Sequence, residues 1–139
     1  MRPADTRAML LAQHEELRRT TARLCALAQE LRDGQAVGSA FDAALDDLRT
    51  AFAEHNATES AVIGELMVGA GDRGSRFIDR MLEEHGAEHG VFWKLMSGSR
   101  REVAERIDEL AEELDAHMAA EERTFLSPAA IPTDALPRK

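Results

Sequence analysis

Apolar residues recur along this chain in alternating steps of three and four, the spacing of one buried stripe on a helix. Leu10, Leu17, Leu24 and Leu31 repeat every seven residues, with Thr21 and Ala28 between them. Phe41, Leu45, Leu48, Phe52, Val62 and Leu66 phase a second segment, and Ile78, Leu82, Phe92 and Met96 a third. Val103, Ile107, Leu110, Leu114 and Phe125 do so less evenly for a fourth. No strand-like alternation competes with these stripes.

The breaks between stripes carry helix punctuation. A first helix is predicted over 5–31, closed at Asp33-Gly34 with glycine in the C-terminal cap position. Ser39 is expected to cap a second helix over 40–68, which stops at Gly69-Ala70-Gly71. Asp72 is expected to cap a third, which ends before Ser97-Gly98. Ser99 opens the fourth with Glu102 three residues on, a capping box. Short loops make sequential helices antiparallel neighbours. The predicted fold class is all-α, an up-down-up-down antiparallel four-helix bundle over residues 1–126. Residues 127–139 hold Pro128, Pro132 and Pro137 and read as an extended or disordered tail.

The histidines fall in the gaps of these stripes. His14 lies between Leu10 and Leu17, and His55 with Glu59 between Phe52 and Val62. His85 and His89 lie between Leu82 and Phe92, and His117 with Glu121 between Leu114 and Phe125. All five histidines of the chain are thus on predicted buried seams. Burying imidazole and carboxylate without partners costs several kcal/mol each. A metal centre inside the bundle satisfies all of them together. Residues four apart share a helix face about 6 Å along the axis, so each pair grips one ion or reaches two. Seven ligands, His14, His55, Glu59, His85, His89, His117 and Glu121, are too many for one tetrahedral zinc and suit two metals with an open position. Helix-depth arithmetic puts the pairs within roughly two to three turns of one level.

Glu121 and Glu122 compete for the last position. Glu121 is about 40° around the helix from His117, and Glu122 about 140°. Glu121 is therefore expected inward and Glu122 in solvent. Glu88 and the other flanking acids are likewise expected to be solvated. A ferritin-like site needs an acid three residues before a histidine on two helices. The residues at that offset are Leu11, Phe52, Leu82, Gly86 and Leu114, so that arrangement is disfavoured.

The series His14, His55-Asn-Ala-Thr-Glu59, His85-Gly-Ala-Glu-His89 and His117-Met-Ala-Ala-Glu121-Glu122 resembles the hemerythrin-like HHE cation-binding domain family, over about Met9 to Leu126. The resemblance implies a non-heme di-iron centre with two iron ions joined by an oxo or hydroxo bridge. It implies that His85, His89 and His117 hold one iron, His14 and His55 the other, and that Glu59 and Glu121 bridge them. The second iron then keeps a position for dioxygen. Oxygen-carrying hemerythrins end with Asp five residues after the last histidine, whereas this chain has Glu at four and again at five. That departure bears on reversible oxygen carriage more than on metal binding. Zinc or another divalent metal is a further occupant the ligand types accept.

Composition narrows the partners. With a net charge of −9, no basic face for nucleic acid is expected. No stretch approaches the ~20 apolar residues of a membrane span, and Met1–Asp5 carry no signal pattern; the expected location is cytoplasmic. Cys25 is the only cysteine and reads as a small core residue. Dioxygen, another small diatomic or peroxide is the expected partner, bound for storage, sensing or scavenging. The alternatives are a di-iron enzyme reducing peroxide, nitric oxide or dioxygen, and a metal-responsive regulatory or structural module. No catalytic residue stands out beyond the ligands. Thr20, Thr21 and Thr124 are expected to bond their own helix backbone, and Met67, Met81, Met96 and Met118 to fill core. Trp93 is expected to cover a helix–helix groove or a subunit contact. Gly86 and Gly90 are expected to allow close helix approach or a path for a diatomic.

Overall fold

The structure, a computed structural model, describes residues 3–124 and 126, with side chains outside the described set at 3, 4, 63–82, 84 and 85. Three helical elements follow one another: α1 (Pro3–Arg32), α2 (Gly38–Met96) and α3 (Arg100–Arg123). No strand occurs among the described residues.

Four helical limbs arise from these three elements because α2 folds back on itself. On a straight helix Phe52 and Phe92 would stand about 60 Å apart, yet their ring centroids are 6.0 Å apart. Arg49 donates to the Met96 carbonyl at 2.7 Å, and His89 Nε2 lies 3.6 Å from Glu59 Oε1. These pairs run antiparallel, so residues 38–62 and 83–96 are neighbouring limbs. Helical backbone bonding continues through Gly69-Ala70-Gly71, where a break is predicted. Glycine weakens a helix by about 1 kcal/mol but keeps its N–H, so the bonding need not stop there. The predicted capping role of Asp72 has no counterpart, since no helix starts at that residue. α1 lies antiparallel to α3, with Arg7 bonded to the Leu126 carbonyl and Arg18 to Asp115. The result is the up-down-up-down four-helix bundle.

The remaining helix ends follow local chemistry. Gly34 takes φ 86°, and its N–H bonds the Leu31 carbonyl while that of Gln35 bonds the Glu30 carbonyl, a Schellman closure. Ser99 and Glu102 form the reciprocal capping box at α3. The second helix departs from expectation: it starts at Gly38 after Val37, without a side-chain cap, so Ser39 lies inside the first turn. The stretch 127–139, predicted as a tail, lies outside the described residues.

Apolar side chains fill the half of the bundle holding the α1–α2 and α2–α3 junctions. Leu17, Leu24, Phe41, Leu48, Met96, Ile107 and Leu110 are all buried there. Met118 joins this core, as expected of filler. Met67 and Met81 lie outside the described side chains. Cys25 packs at the core's edge, and burial pushes its thiol up to about 11, which suits an inert residue. The core holds the four limbs in register, so a polar cluster one layer further along is positioned by rigid packing.

Candidate metal centre

Above the apolar core, each limb contributes inward histidine or glutamate. His14 comes from α1, His55 and Glu59 from the first limb of α2, His89 from its second limb, and His117 and Glu121 from α3. His14, His55, Glu59, His117 and Glu121 are buried and His89 nearly so. The three-and-four spacing that buries Leu10, Phe52, Phe92 and Leu114 carries these residues to the same axis.

Their donor atoms form two groups. One is His14, His55, Glu59 and Glu121, and the other Glu59, His89, His117 and Glu121; within each, one atom per residue lies within 4.8 Å of the others. Both carboxylates belong to both groups. His14 Nε2 is 2.9 Å from Glu121 Oε1, and His117 Nε2 is 2.7 Å from Glu121 Oε2. His55 Nε2 is 2.8 Å from Glu59 Oε2, and the other Glu59 oxygen faces His89. Six of the seven sequence-predicted ligands are brought together. His85 lies on α2, but its side chain is outside the described residues.

Two contacts suit a cation better than a proton. His89 Nε2 and His117 Nε2 face each other at 3.2 Å; at most one can donate, whereas both lone pairs can turn to one metal ion. His55 Nε2 is buried and reaches Glu59 without hydrogen-bond alignment. The donor set, imidazole nitrogens and two shared carboxylates, fits one or more divalent metal ions. Burial works against charge on His14, but hydrogen bonds to Glu121 and Glu122 and the nearby Glu59 carboxylate outweigh it and push its pKa up to about 9. The same opposition leaves His55 raised through Glu121 and Glu59, and His117 raised through Glu121 and Glu88.

An outer layer of acceptors is not legible as such in the sequence. His14 Nδ1 donates to Glu122 Oε2 at 2.7 Å, and His55 Nδ1 to Gln13 Oε1 at 2.9 Å. His117 Nδ1 lies 3.2 Å from Glu88 Oε2. Glu122 is thus not free in solvent as predicted: it is part-buried between His14 and Arg18. Glu88 is half exposed but also committed to the site. One signal marks all three. Each is the immediate neighbour of a cluster residue on its own helix and serves a histidine on another. One residue is about 100° around a helix, which aims the neighbour at the groove between limbs. Such outer bonds fix the ring and leave Nε2 for the metal.

Apolar rings close the second group. Phe52 meets His89 edge-on at 5.4 Å, and Phe92 meets His117 at 5.5 Å. Trp93, 44 % exposed, stacks on Phe52 at 6.4 Å and covers that groove. Among the described residues, a Cβ added at Gly86 or Gly90 would meet nothing within 4 Å, so no close helix approach is seen at either. Thr20, Thr21 and Thr124 bond carbonyls of their own helices, as expected.

A four-helix bundle with a buried histidine and carboxylate cluster of this kind defines a cation-binding bundle protein. Residues 5–127 match the family described as Hemerythrin HHE cation binding domain. The chain belongs to that family. No curated protein and no solved structure matches it. No helix among the described residues is long and apolar enough to cross a membrane.

Proposed function

We propose that this protein is a non-heme di-iron protein that binds dioxygen, or a related diatomic or oxidant, at an open iron position. The observation that carries the reading is the sharing of Glu59 and Glu121 by two histidine groups. His14 and His55 would hold one iron, and His89, His117 and His85 the other. With both carboxylates shared, four protein donors would serve the first iron and, with His85, five the second, which would leave more room for a small ligand on the His14 side. An iron pair supplies one-electron changes at each metal and a coordination position for a small ligand.

The residues of the chain support binding over processing of a larger molecule. Phe52 and Phe92 wall the cluster, and burial excludes bulk water from His14, His55 and Glu59. No further acid or base stands inside this described shell to serve organic chemistry. Storage, sensing or scavenging of a small ligand follows. An enzyme reducing peroxide, nitric oxide or dioxygen would use the same cluster, and a metal-responsive module would use only its metal affinity.

The test is anaerobic loading with ferrous iron, followed by oxygen. A visible charge-transfer band that appears with oxygen and disappears on its removal is expected. Steady peroxide consumption without a lasting adduct would assign the enzyme reading instead. A fold that melts on metal removal, with no response to oxygen or peroxide, would assign the metal-responsive module.

A further inference from the structure

We propose that Glu122, clamped by Arg18, is a positioning residue that turns the His14 imidazole into the site and makes the His14/His55 half unequal to the His89/His117 half. The inference rests on the reading of the cluster as a two-metal centre.

The geometry begins at a ring with no solvent exposure. His14 Nδ1 donates to Glu122 Oε2 at 2.7 Å, which directs Nε2 toward Glu121 and Glu59. Glu122 is in turn held by Arg18, with Nη1 3.1 Å from Oε2 and Nη2 3.3 Å from Oε1. Arg18 is also held by Asp115, which accepts from its Nε at 2.6 Å, and by Glu15, which shares Nη1 with Glu122 at 3.1 Å. Arg18 stands one turn beyond His14 on α1, while Glu122 and Asp115 stand two turns apart on α3. The clamp therefore joins the two helices that present His14 and Glu121. Burial of Glu122 opposes its charge, but Arg18 and His14 hold its carboxyl below the usual range.

Among the described residues, His55 and His117 show supports of a different kind. His55 leans on a neutral amide, that of Gln13, itself bonded to Thr58 Oγ1 at 3.1 Å. His117 faces Glu88, whose carboxylate is 51 % exposed, and exposed charges are screened by water. Only His14 is backed by a carboxylate that is both sheltered and ion-paired among these three. An imidazole donating its N–H to a carboxylate is a stronger ligand at the opposite nitrogen, and loss of such a partner weakens metal binding by about ten- to a hundredfold. The effect should fall on one ion of the pair.

Titration of metal-free protein with Co²⁺, read by ligand-field absorption and by competition with a chelator, tests this. The wild type should bind two ions. Glu122→Ala should weaken one of them by about ten- to a hundredfold, change its absorption band, and leave the second ion unmoved. Glu122→Gln keeps an acceptor oxygen without the charge and should recover only part of the loss, whereas a purely structural role would be restored in full by this near-isosteric side chain. Should the alanine variant fail to fold, Glu122→Met keeps the side-chain stem and removes the acceptor, with the same expectation. Wild-type affinity for both ions in the acceptor-free variant overturns the inference alone. Fewer than two ions on the wild type overturns the two-metal reading and this inference together.

Discussion

Glu59 and Glu121, on facing limbs of the bundle, each divide their two oxygens between two pairs of histidines. Glu121 turns Oε1 to His14 and Oε2 to His117, at 2.9 and 2.7 Å. Glu59 turns Oε2 to His55 at 2.8 Å and Oε1 to His89 at 3.6 Å. On the proposed di-iron reading, this division lets each carboxylate be shared by two ions.

The two carboxylates and the histidines therefore differ in what their loss removes. Glu121→Ala should lower occupancy of both metal positions, because both donor groups contain it. His14→Ala should lower only one. Metal content after loading and desalting separates them: about one ion per chain is expected for His14→Ala and fewer for Glu121→Ala. Equal losses in the two variants would count against sharing.

Protonation gives a second prediction with a defined sign. The folded His14 pKa of about 9 exceeds its ordinary 6.5, so its protonated pairing contributes stability that is complete below about 6.5 and lost as pH rises through about 9. His55 and His117 are shifted in the same direction. Metal must displace these protons, so metal binding strengthens over the same window. The melting temperature of metal-free protein should fall from pH 6.5 to 9, and the gap between loaded and metal-free protein should widen. Parallel thermal melts across that range check it; a constant gap contradicts the proton competition.

Much of the bundle and its cluster is legible in the amino-acid sequence alone. Seam phasing from apolar residues puts His14, His55, Glu59, His89, His117 and Glu121 on one axis, because residues that fill gaps in a buried stripe share its direction. The outer acceptors Gln13, Glu88 and Glu122 escape such phasing, which separates inside from outside and has no category for the groove between. The turn within α2 differs in kind from expectation: its glycines predict a loop, but helical bonding persists through them. Ser39 does not act as a cap because the helix already begins at Gly38, after Val37.

Packing around the cluster sets a third expectation. Phe52 is fully buried and touches His89, Phe92 and Trp93. Phe52→Ala should cost about 3–5 kcal/mol in urea denaturation. Trp93→Ala, at a half-exposed position, should cost less. A smaller loss at Phe52 than at Trp93 would contradict the assignment of Phe52 as the wall.

Gly86 and Gly90 supply the converse case. Both are exposed and helical, and an added Cβ at either meets no atom of the described residues within 4 Å. Gly86→Ala and Gly90→Ala should each stabilise the fold by up to about 1 kcal/mol, measured by the same denaturation. Destabilisation at either would show a backbone requirement that the geometry does not contain.

On the proposed reading, one chain holds two metal ions between shared carboxylates. Iron content per chain after anaerobic ferrous loading and removal of excess tests it most directly. Two irons per chain are expected in the wild type, falling to one in the His14→Ala, His55→Ala double variant. One iron or fewer in the fully loaded wild type would contradict it.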